Sequence, residues 1–196
     1  MQIKIIPSIF MLLCSAYAFA QEATEIYLFD LIENGKSFTI KNSVNISNQK
    51  GYDNQPSFTE DGASILFTSF RDGQADIAIY DIEQQYRGWL TNTPENEISP
   101  MAYPGKKKLF TCIRSDNKEK QQLYTYSYKG NEPEVLIGDV KIAYYTWFNK
   151  NTLVTMSWAI WMPCMSITLN SKSNTRSSKI QAAHFKENRV PCLSVL

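Results

Sequence analysis

Gln55-Pro56-Ser57-Phe58-Thr59-Glu60-Asp61-Gly62-Ala63-Ser64-Ile65-Leu66-Phe67-Thr68-Ser69-Phe70-Arg71-Asp72-Gly73 lays out a short strand, a turn, a longer strand and a second turn. Ser64–Phe70 alternates and is rich in β formers, and the two Asp-Gly pairs supply the positive φ that tight hairpins require. The stretch returns in degraded form. Ser99-Pro100 answers Gln55-Pro56, Pro104-Gly105 answers Asp61-Gly62, Leu109-Phe110-Thr111 answers Leu66-Phe67-Thr68, and Arg114-Ser115 answers Arg71-Asp72. Phe67 and Phe110 stand 43 residues apart. A third, fainter copy runs Thr146-Trp147-Phe148, a turn at Asn149-Lys150, then Leu153-Val154-Thr155, with Leu109 and Leu153 separated by 44. Such spacing is that of propeller blades, whose period is about 40–45 residues. A unit of this length made of short strands cannot bury its own faces, so it stacks on its neighbours. The expected fold is all-β: a β-propeller.

Each repeat parses into four strands. In the best copy, spanning 54–91, these are Gln55–Thr59, Ser64–Phe70, Asp76–Ile82 and Arg87–Thr91. The second blade, 98–137, has Met101–Tyr103, Lys108–Arg114, Gln122–Tyr128 and Val135–Ile137. A partial blade covers 142–157. Upstream, Glu25–Leu31 resembles Asp76–Ile82, a third strand with no first or second before it. Residues 25–47 therefore read as a closing half-blade whose partners come from the far C-terminus, since closure removes exposed sheet edges. Lys106-Lys107-Lys108 reads as a solvated turn.

These residues resemble the TolB-type, WD-like propeller repeat. Its signature is matched by Pro56-Ser57-Phe58-Thr59-Glu60-Asp61-Gly62, by Ser69-Phe70-Arg71-Asp72-Gly73 and by Asp76-Ile77-Ala78-Ile79. The second copy lacks the turn Asp but keeps Arg114. The resemblance covers residues 25–157 and implies a six-bladed ring in the cell envelope that acts through protein contacts and carries no catalytic machinery. The same repeat also occurs in propellers attached to prolyl-oligopeptidase-like enzymes, so it does not fix function. Asp61, Gly62, Arg71, Asp72, Gly73 and Asp76 read as structural: the Asp-Gly pairs make turns, and Arg71 bonds a carbonyl or a carboxylate, Asp72 or Asp76.

The two ends of the chain differ from the middle. Lys4, the apolar run Ile5–Phe19 and Ala18-Phe19-Ala20 fit a signal peptide, residues 1–20, cleaved after Ala20. The expectation is a periplasmic or secreted protein with no membrane span after cleavage. A membrane anchor is the alternative, although the run falls short of roughly 20 apolar residues. A six-bladed ring needs roughly 260 residues. Cleavage leaves 176 of the 196, about three blades plus the half-blade, so the propeller is expected to be incomplete. Residues 158–196 are atypical: Trp158-Ala159-Ile160-Trp161-Met162-Pro163-Cys164-Met165 is followed by a tract dense in Ser, Asn, Thr and Lys. Trp and Met each have one codon, so a shifted reading from the last base of the Trp158 codon is largely fixed. It gives Gly, a variable residue, Leu or Met, Asp, Ala, an aliphatic residue, then Tyr or His, which suits a third strand. A frameshift near Met156–Trp158 is the expectation, and a divergent but genuine blade the alternative. A half-ring would expose blade edges and invite self-association.

Composition narrows function further. A formal charge of +1 over 196 residues, with 43% hydrophobic residues, predicts no attraction to nucleic acid or acidic membranes. Cys112, Cys164 and Cys192 remain after cleavage, an odd number with no framework spacing, and Cys112 reads as a small core residue. His184 is the only histidine; it has no partner at metal-ligand spacing and lies in the doubtful tail. There is no Gly-x-Ser-x-Gly elbow, no credible triad base and no phosphate loop. Carboxylate pairs such as Asp30 with Glu33, and Glu95 with Glu97, read as solvated groups in turns or loops. Asn45-Ile46-Ser47 matches a glycosylation sequon, a pattern common by chance. Trp89, Tyr103, Tyr124, Tyr126, Tyr145 and Trp147 read as packing between blades, a few near the channel being able to line a peptide or sugar site. No cofactor, metal or catalytic residue is expected. The expected role is a non-enzymatic binding or scaffold protein whose partner is another envelope protein or a peptide. A propeller fragment of a hydrolase lacking its catalytic domain and a glycan-binding propeller are the alternatives.

Overall fold

The computed structural model describes residues 23–116, 120–130, 132–157 and 165–169. The expected signal peptide, its cleavage site, most of the 158–196 tail and any C-terminal strands completing the half-blade lie outside the described residues. Those described form strands and turns with no helix.

β1 (Tyr27–Asn34) and β2 (Ser37–Asn45) make an antiparallel hairpin of their own. β3 (Asp53–Phe58), β4 (Ser64–Arg71), β5 (Gln74–Asp81) and β6 (Tyr86–Trp89) follow as a four-stranded antiparallel meander. β7 (Asn96–Ala102), β8 (Leu109–Ser115), β9 (Gln121–Ser127) and β10 (Glu134–Ile137) repeat it. β11 (Ile142–Asn149), β12 (Thr152–Ser157) and β13 (Met165–Thr168) form a third, three-stranded sheet. Sequence chemistry accounts for the sharp corners. Arg71 pairs with Gln74 across Asp72 and Gly73, both at positive φ, 52° and 81°, the two-residue hairpin that Asp-Gly favours. The first strands are longer than the sequence suggests in the second blade, where β7 starts at Asn96 rather than at Met101.

Alternation along the second strand of each blade decides what it buries. Ile65 and Phe67 pack with Ala78 and Tyr80 against Ile26 and Ile46 of the N-terminal hairpin segment. Leu66 and Ile77, on the opposite face, meet Phe110, Cys112 and Tyr126 of the next sheet. Ile113, Leu123 and Ile137, on the far side of that sheet, meet Ile142, Tyr145 and Leu153. The sheets thus stack face to face in chain order, sharing three apolar layers. Phe67 and Phe110 are both fully buried and both face the preceding sheet, so an offset of 43 keeps the phase. Leu153 also faces the preceding sheet, which places it in the role of Phe110, again at 43, rather than in that of Leu109 at 44. The correction matters because a slip of one residue turns a strand's side chains to the other face.

Bulges in the first strands lock the stack. Gln55 and Ser99 sit at φ of 53° and 55°, and pairing shifts register between Asn54 and Ser57 and between Ile98 and Met101. Pro56 and Pro100 follow them, where a bulge leaves no ladder donor to supply. Each bulge reaches the next sheet. Gln55 Oε1 accepts from the Ser99 amide at 2.9 Å and from Thr68 Oγ1 at 3.0 Å. Tyr145 Oη shares its proton between Ser99 O at 3.0 Å and Thr111 O at 2.8 Å.

Candidate functional site

The two ends of the blades have different chemistry. At one end are the turns Thr59–Ala63 and Tyr103–Lys108. Asp61 Oδ1 accepts from Thr59 Oγ1 at 2.7 Å and from the Ala63 amide at 3.1 Å, with Gly62 at φ 70° completing the corner. The Thr59 hydroxyl, then the Ala63 amide, hold the Asp61 carboxyl below its ordinary value. The Gly105 amide donates to Glu60 Oε1 at 2.9 Å, tying the turn of one sheet to that of the next. Beside this bridge a groove of about 300 Å³ opens between the two sheets. Thr59, Asp61 and Ile79 line one wall; Tyr103, Lys106 and Tyr128 line the other. Lys106 Nζ stands 4.3 Å over the Tyr103 ring, and Tyr103 packs on Trp147 with centroids 4.6 Å apart. Burial, then the charges of Asp61 and Glu60, push the Tyr128 phenol up to about 12. At neutral pH it remains a hydroxyl able to donate. The groove therefore offers carboxylate, ammonium, phenol and aromatic faces within one small cleft.

The other end is closed by its own side chains. Arg71 Nε donates to Asp76 Oδ2 at 3.0 Å and Arg71 Nη2 to Asn92 Oδ1 at 2.7 Å. Of the two acceptors the sequence offers, Asp76 is the one engaged. Arg71 and Arg87 flank Trp89, 4.1 and 4.4 Å from its ring. Arg87 also donates to Ser69 Oγ at 2.8 Å, and that hydroxyl bonds the buried Asp53. Burial raises Asp53, opposed first by the Ser69 hydrogen bond.

The second sheet repeats the theme with Glu97, Glu95 and Arg114. Glu97 is fully buried on β7. Its Oε1 accepts from Tyr126 Oη at 3.0 Å and from Thr93 Oγ1, and lies 3.8 Å from Arg114 Nε. Arg114 also pairs with Glu95. Burial raises the Glu97 carboxyl above its ordinary value, against the pull of the Thr93 and Tyr126 hydrogen bonds. Glu97 is thus no solvated loop residue, which corrects the reading of the Glu95–Glu97 pair. Asp30 and Glu33 are exposed, but on a strand, with Asp30 accepting from Asn42 Nδ2 at 2.7 Å. In the sequon Asn45 is half-buried, while Ser47 is fully buried and hydrogen-bonds Glu25.

Sequence reasoning missed Asp53, misread Glu97 as solvated and missed Arg87. A signal for the first two existed: Asp53 and Glu97 lie 44 apart, each two residues before a bulge, in the register that joins Gln55 to Ser99. His184 lies outside the described residues. Among the described residues, no group of three or more His, Cys, Asp or Glu is placed to hold a metal. Nor does any described helix have the length and apolarity to cross a membrane.

Stacked four-stranded meanders with a 43-residue phase define an incomplete β-propeller. More closely, the fold is TolB-like. A TolB structure from Acinetobacter baumannii superposes with a TM-score of 0.54 at 19% identity, covering 74% of this chain and 39% of that one. A protein described as TolB from Agrobacterium tumefaciens superposes with a TM-score of 0.55 at 16% identity, covering 74% and 57%. An oligogalacturonate lyase from Vibrio parahaemolyticus gives 0.49 at 17% identity, covering 82% and 48%, too loose a likeness to bear on function. The chain thus spans less than two thirds of the length of the structures it resembles. No protein-family model and no curated protein matches the sequence.

Proposed function

We propose that the chain is an exported, non-enzymatic propeller module of the cell envelope that binds an extended peptide segment of a partner protein. The observation that carries this reading is the groove between the sheets at the Asp61–Gly62 turn. Asp61 stands on one wall and Lys106, with Tyr103 and Tyr128, on the other. A peptide with acidic and basic side chains in alternation finds a counter-charge on either wall and aromatic surface for its stem. Its backbone carbonyls find the neutral Tyr128 hydroxyl. At about 300 Å³ the cleft is at the small end of ligand sites, which span about 300–1,000 Å³. It suits two or three residues of a segment, not a folded substrate. Residues 1–20 supply the export signal in this reading.

The test is a titration of the chain with labelled hexapeptides of four kinds: acidic, basic, alternating in sign, and uncharged. The alternating peptide should bind tightest, and Lys106→Ala and Tyr128→Ala should each weaken it by tenfold or more, a change of about 1.4 kcal/mol. Equal affinity for all four peptides, or no binding to any, sinks the proposal. Thermal stabilisation by neutral oligosaccharides with no response to peptides would favour the glycan-binding alternative instead.

A further inference from the structure

We propose that the groove at the Asp61–Gly62 turn captures the C-terminal end of its partner segment, with the α-carboxylate lying on Lys106, Lys107 and the Tyr128 hydroxyl; this rests on the peptide-binding reading of the same groove and fixes which part of the peptide enters. The chemistry of the two walls is lopsided. On one, the Lys106 and Lys107 ammonium groups and the Tyr128 hydroxyl make no hydrogen bond or ion pair to the described residues. Lys106 only rests over the Tyr103 ring. On the other, Asp61 uses Oδ1 for both of its turn bonds, to the Thr59 hydroxyl and the Ala63 amide, which leaves Oδ2 for an amide donor. Burial, then the charges of Asp61 and Glu60, hold the Tyr128 phenol at about 12, so it stays a donor. One wall thus offers donors alone and the other carboxylate oxygens. A peptide's C-terminus has the matching order: a carboxylate that only accepts, then a backbone amide that donates. Bonds from ammonium to carboxylate are about twice as strong as neutral ones, and capture of a terminal carboxylate is a recurring mode of peptide recognition.

Shape selects the end of a chain over its middle. The Glu60–Gly105 bridge joins the turns that follow β3 and β7 and closes the groove toward those first strands. Ile79 and Tyr128 pack on the apolar layer of Leu66, Ile77 and Phe110, which closes it toward the middle of the sheets. A segment passing through would have to break the bridge or part that layer. A cleft of about 300 Å³ closed on two sides is a place where a chain stops. An internal Asp or Glu carries the same carboxylate, but its backbone continues in both directions and cannot follow it in.

Fluorescence anisotropy on the purified full chain tests this. The probe is an alternating-sign hexapeptide labelled at its N-terminus and ending in either a free acid or an amide. The acid should bind at least tenfold tighter than the amide, a comparison that needs no variant to fold. Tyr128→Phe and Lys107→Met should each weaken the acid several-fold and the amide by less than twofold, narrowing the gap. Lys120→Met changes a cation in the loop between β8 and β9, at the other blade end, and should leave the gap at its wild-type size. Equal affinities for acid and amide overturn capture of the chain end while the peptide-binding reading stands; no binding of either form overturns both. A gap that Tyr128→Phe and Lys107→Met leave intact puts the carboxylate elsewhere and overturns the site. A gap narrowed as much by Lys120→Met as by Lys107→Met is general attraction for an anion and overturns it too.

Discussion

Replacing Phe110 by Ala tests the stacking of sheets directly, since its ring belongs to one sheet and fills a layer made by two. Phe110 is fully buried, shares its layer with Leu66 and Ile77 of the preceding sheet, and packs on Tyr126 and Tyr128 at centroid distances of 5.4 and 5.3 Å. Truncating a buried Phe to Ala costs about 3–5 kcal/mol, transfer and cavity terms together. The flanking side chains are themselves pinned, Tyr126 by its hydrogen bond to Glu97, so the cavity has little freedom to collapse and about 4 kcal/mol is expected. With a urea m-value of about 2 kcal/mol/M, the midpoint should fall by roughly 2 M. Tryptophan fluorescence under urea reads this, with Phe148→Ala as control: Phe148 is 75% exposed, and its loss should shift stability by less than about 0.5 kcal/mol. The contact across the sheets is isolated by a double-mutant cycle of Leu66→Ala with Phe110→Ala, where a coupling of about 0.5–3 kcal/mol is expected for touching residues. Additive effects, or a Phe110→Ala cost under about 1 kcal/mol, would falsify the stacked arrangement.

Three further outcomes follow from single groups. Gly51 has φ 148°, and a Cβ there would lie 2.7 Å from the Phe70 carbonyl oxygen; Gly51→Ala should lower the urea midpoint well beyond Gly35→Ala, whose φ is 65° but whose Cβ meets nothing within 4 Å, and equal effects would contradict the close approach. The Cys112 thiol is fully buried and raised by that burial, so a disulfide-forming reagent should label it only at the rate of unfolding; fast labelling in native buffer argues against the layer between β4–β5 and β8–β9. Glu97 has a folded-state value above its ordinary 4.5, so the stability it contributes is full below that value and is lost as pH rises through the raised one. Glu97→Gln keeps an acceptor for Tyr126 and removes this loss, so the melting temperature of the variant relative to wild type should climb as pH rises above 4.5, and a difference independent of pH would count against a buried, ionising Glu97.

The strands and their corners were legible because they depend on local chemistry. Ser64–Phe70 alternates, and Asp72-Gly73 accepts the two positive φ values a tight hairpin needs, so neighbouring residues alone dictate those features. The stacking was legible for a different reason: a repeat carries its partner's complement in its own copy, and Phe110 could be read from Phe67. What escaped depends on partners distant in the chain. Glu95 and Glu97 look like a solvated pair until Tyr126, Thr93 and Arg114 are brought around them, and nothing near Glu97 in sequence announces that β7 begins before it. The phase of the third blade escaped because its turn, Asn149–Asn151, is shorter than Tyr103–Lys108. Counting from the leucines therefore slipped by one residue where the pairing did not. The groove was half visible. Asp61 was singled out as a turn residue, but Lys106 and Tyr128 join it only through the stacking of two sheets.

The two blade ends differ in what they leave free for a ligand. At the Arg71 end two of the cations have acceptors, Asp76 and Asn92 for Arg71 and Glu95 for Arg114, while Arg87 donates to Ser69 and keeps its buried Nε without a partner. Two guanidinium groups, those of Arg71 and Arg87, already lie over Trp89, the largest aromatic surface there. An incoming ligand there would compete with charge-assisted hydrogen bonds, which are about twice as strong as neutral ones. At the Asp61 end the equivalent turn is satisfied within itself by Thr59 and Ala63, and its bridge to the next sheet uses only Glu60 and one amide. Lys106, the Tyr128 hydroxyl and the outer face of the Asp61 carboxylate are thus left for a partner at little cost. The same Asp-Gly turn that makes the hairpin is what leaves this end open, so Asp61 serves the fold and also lines the groove proposed for peptide binding.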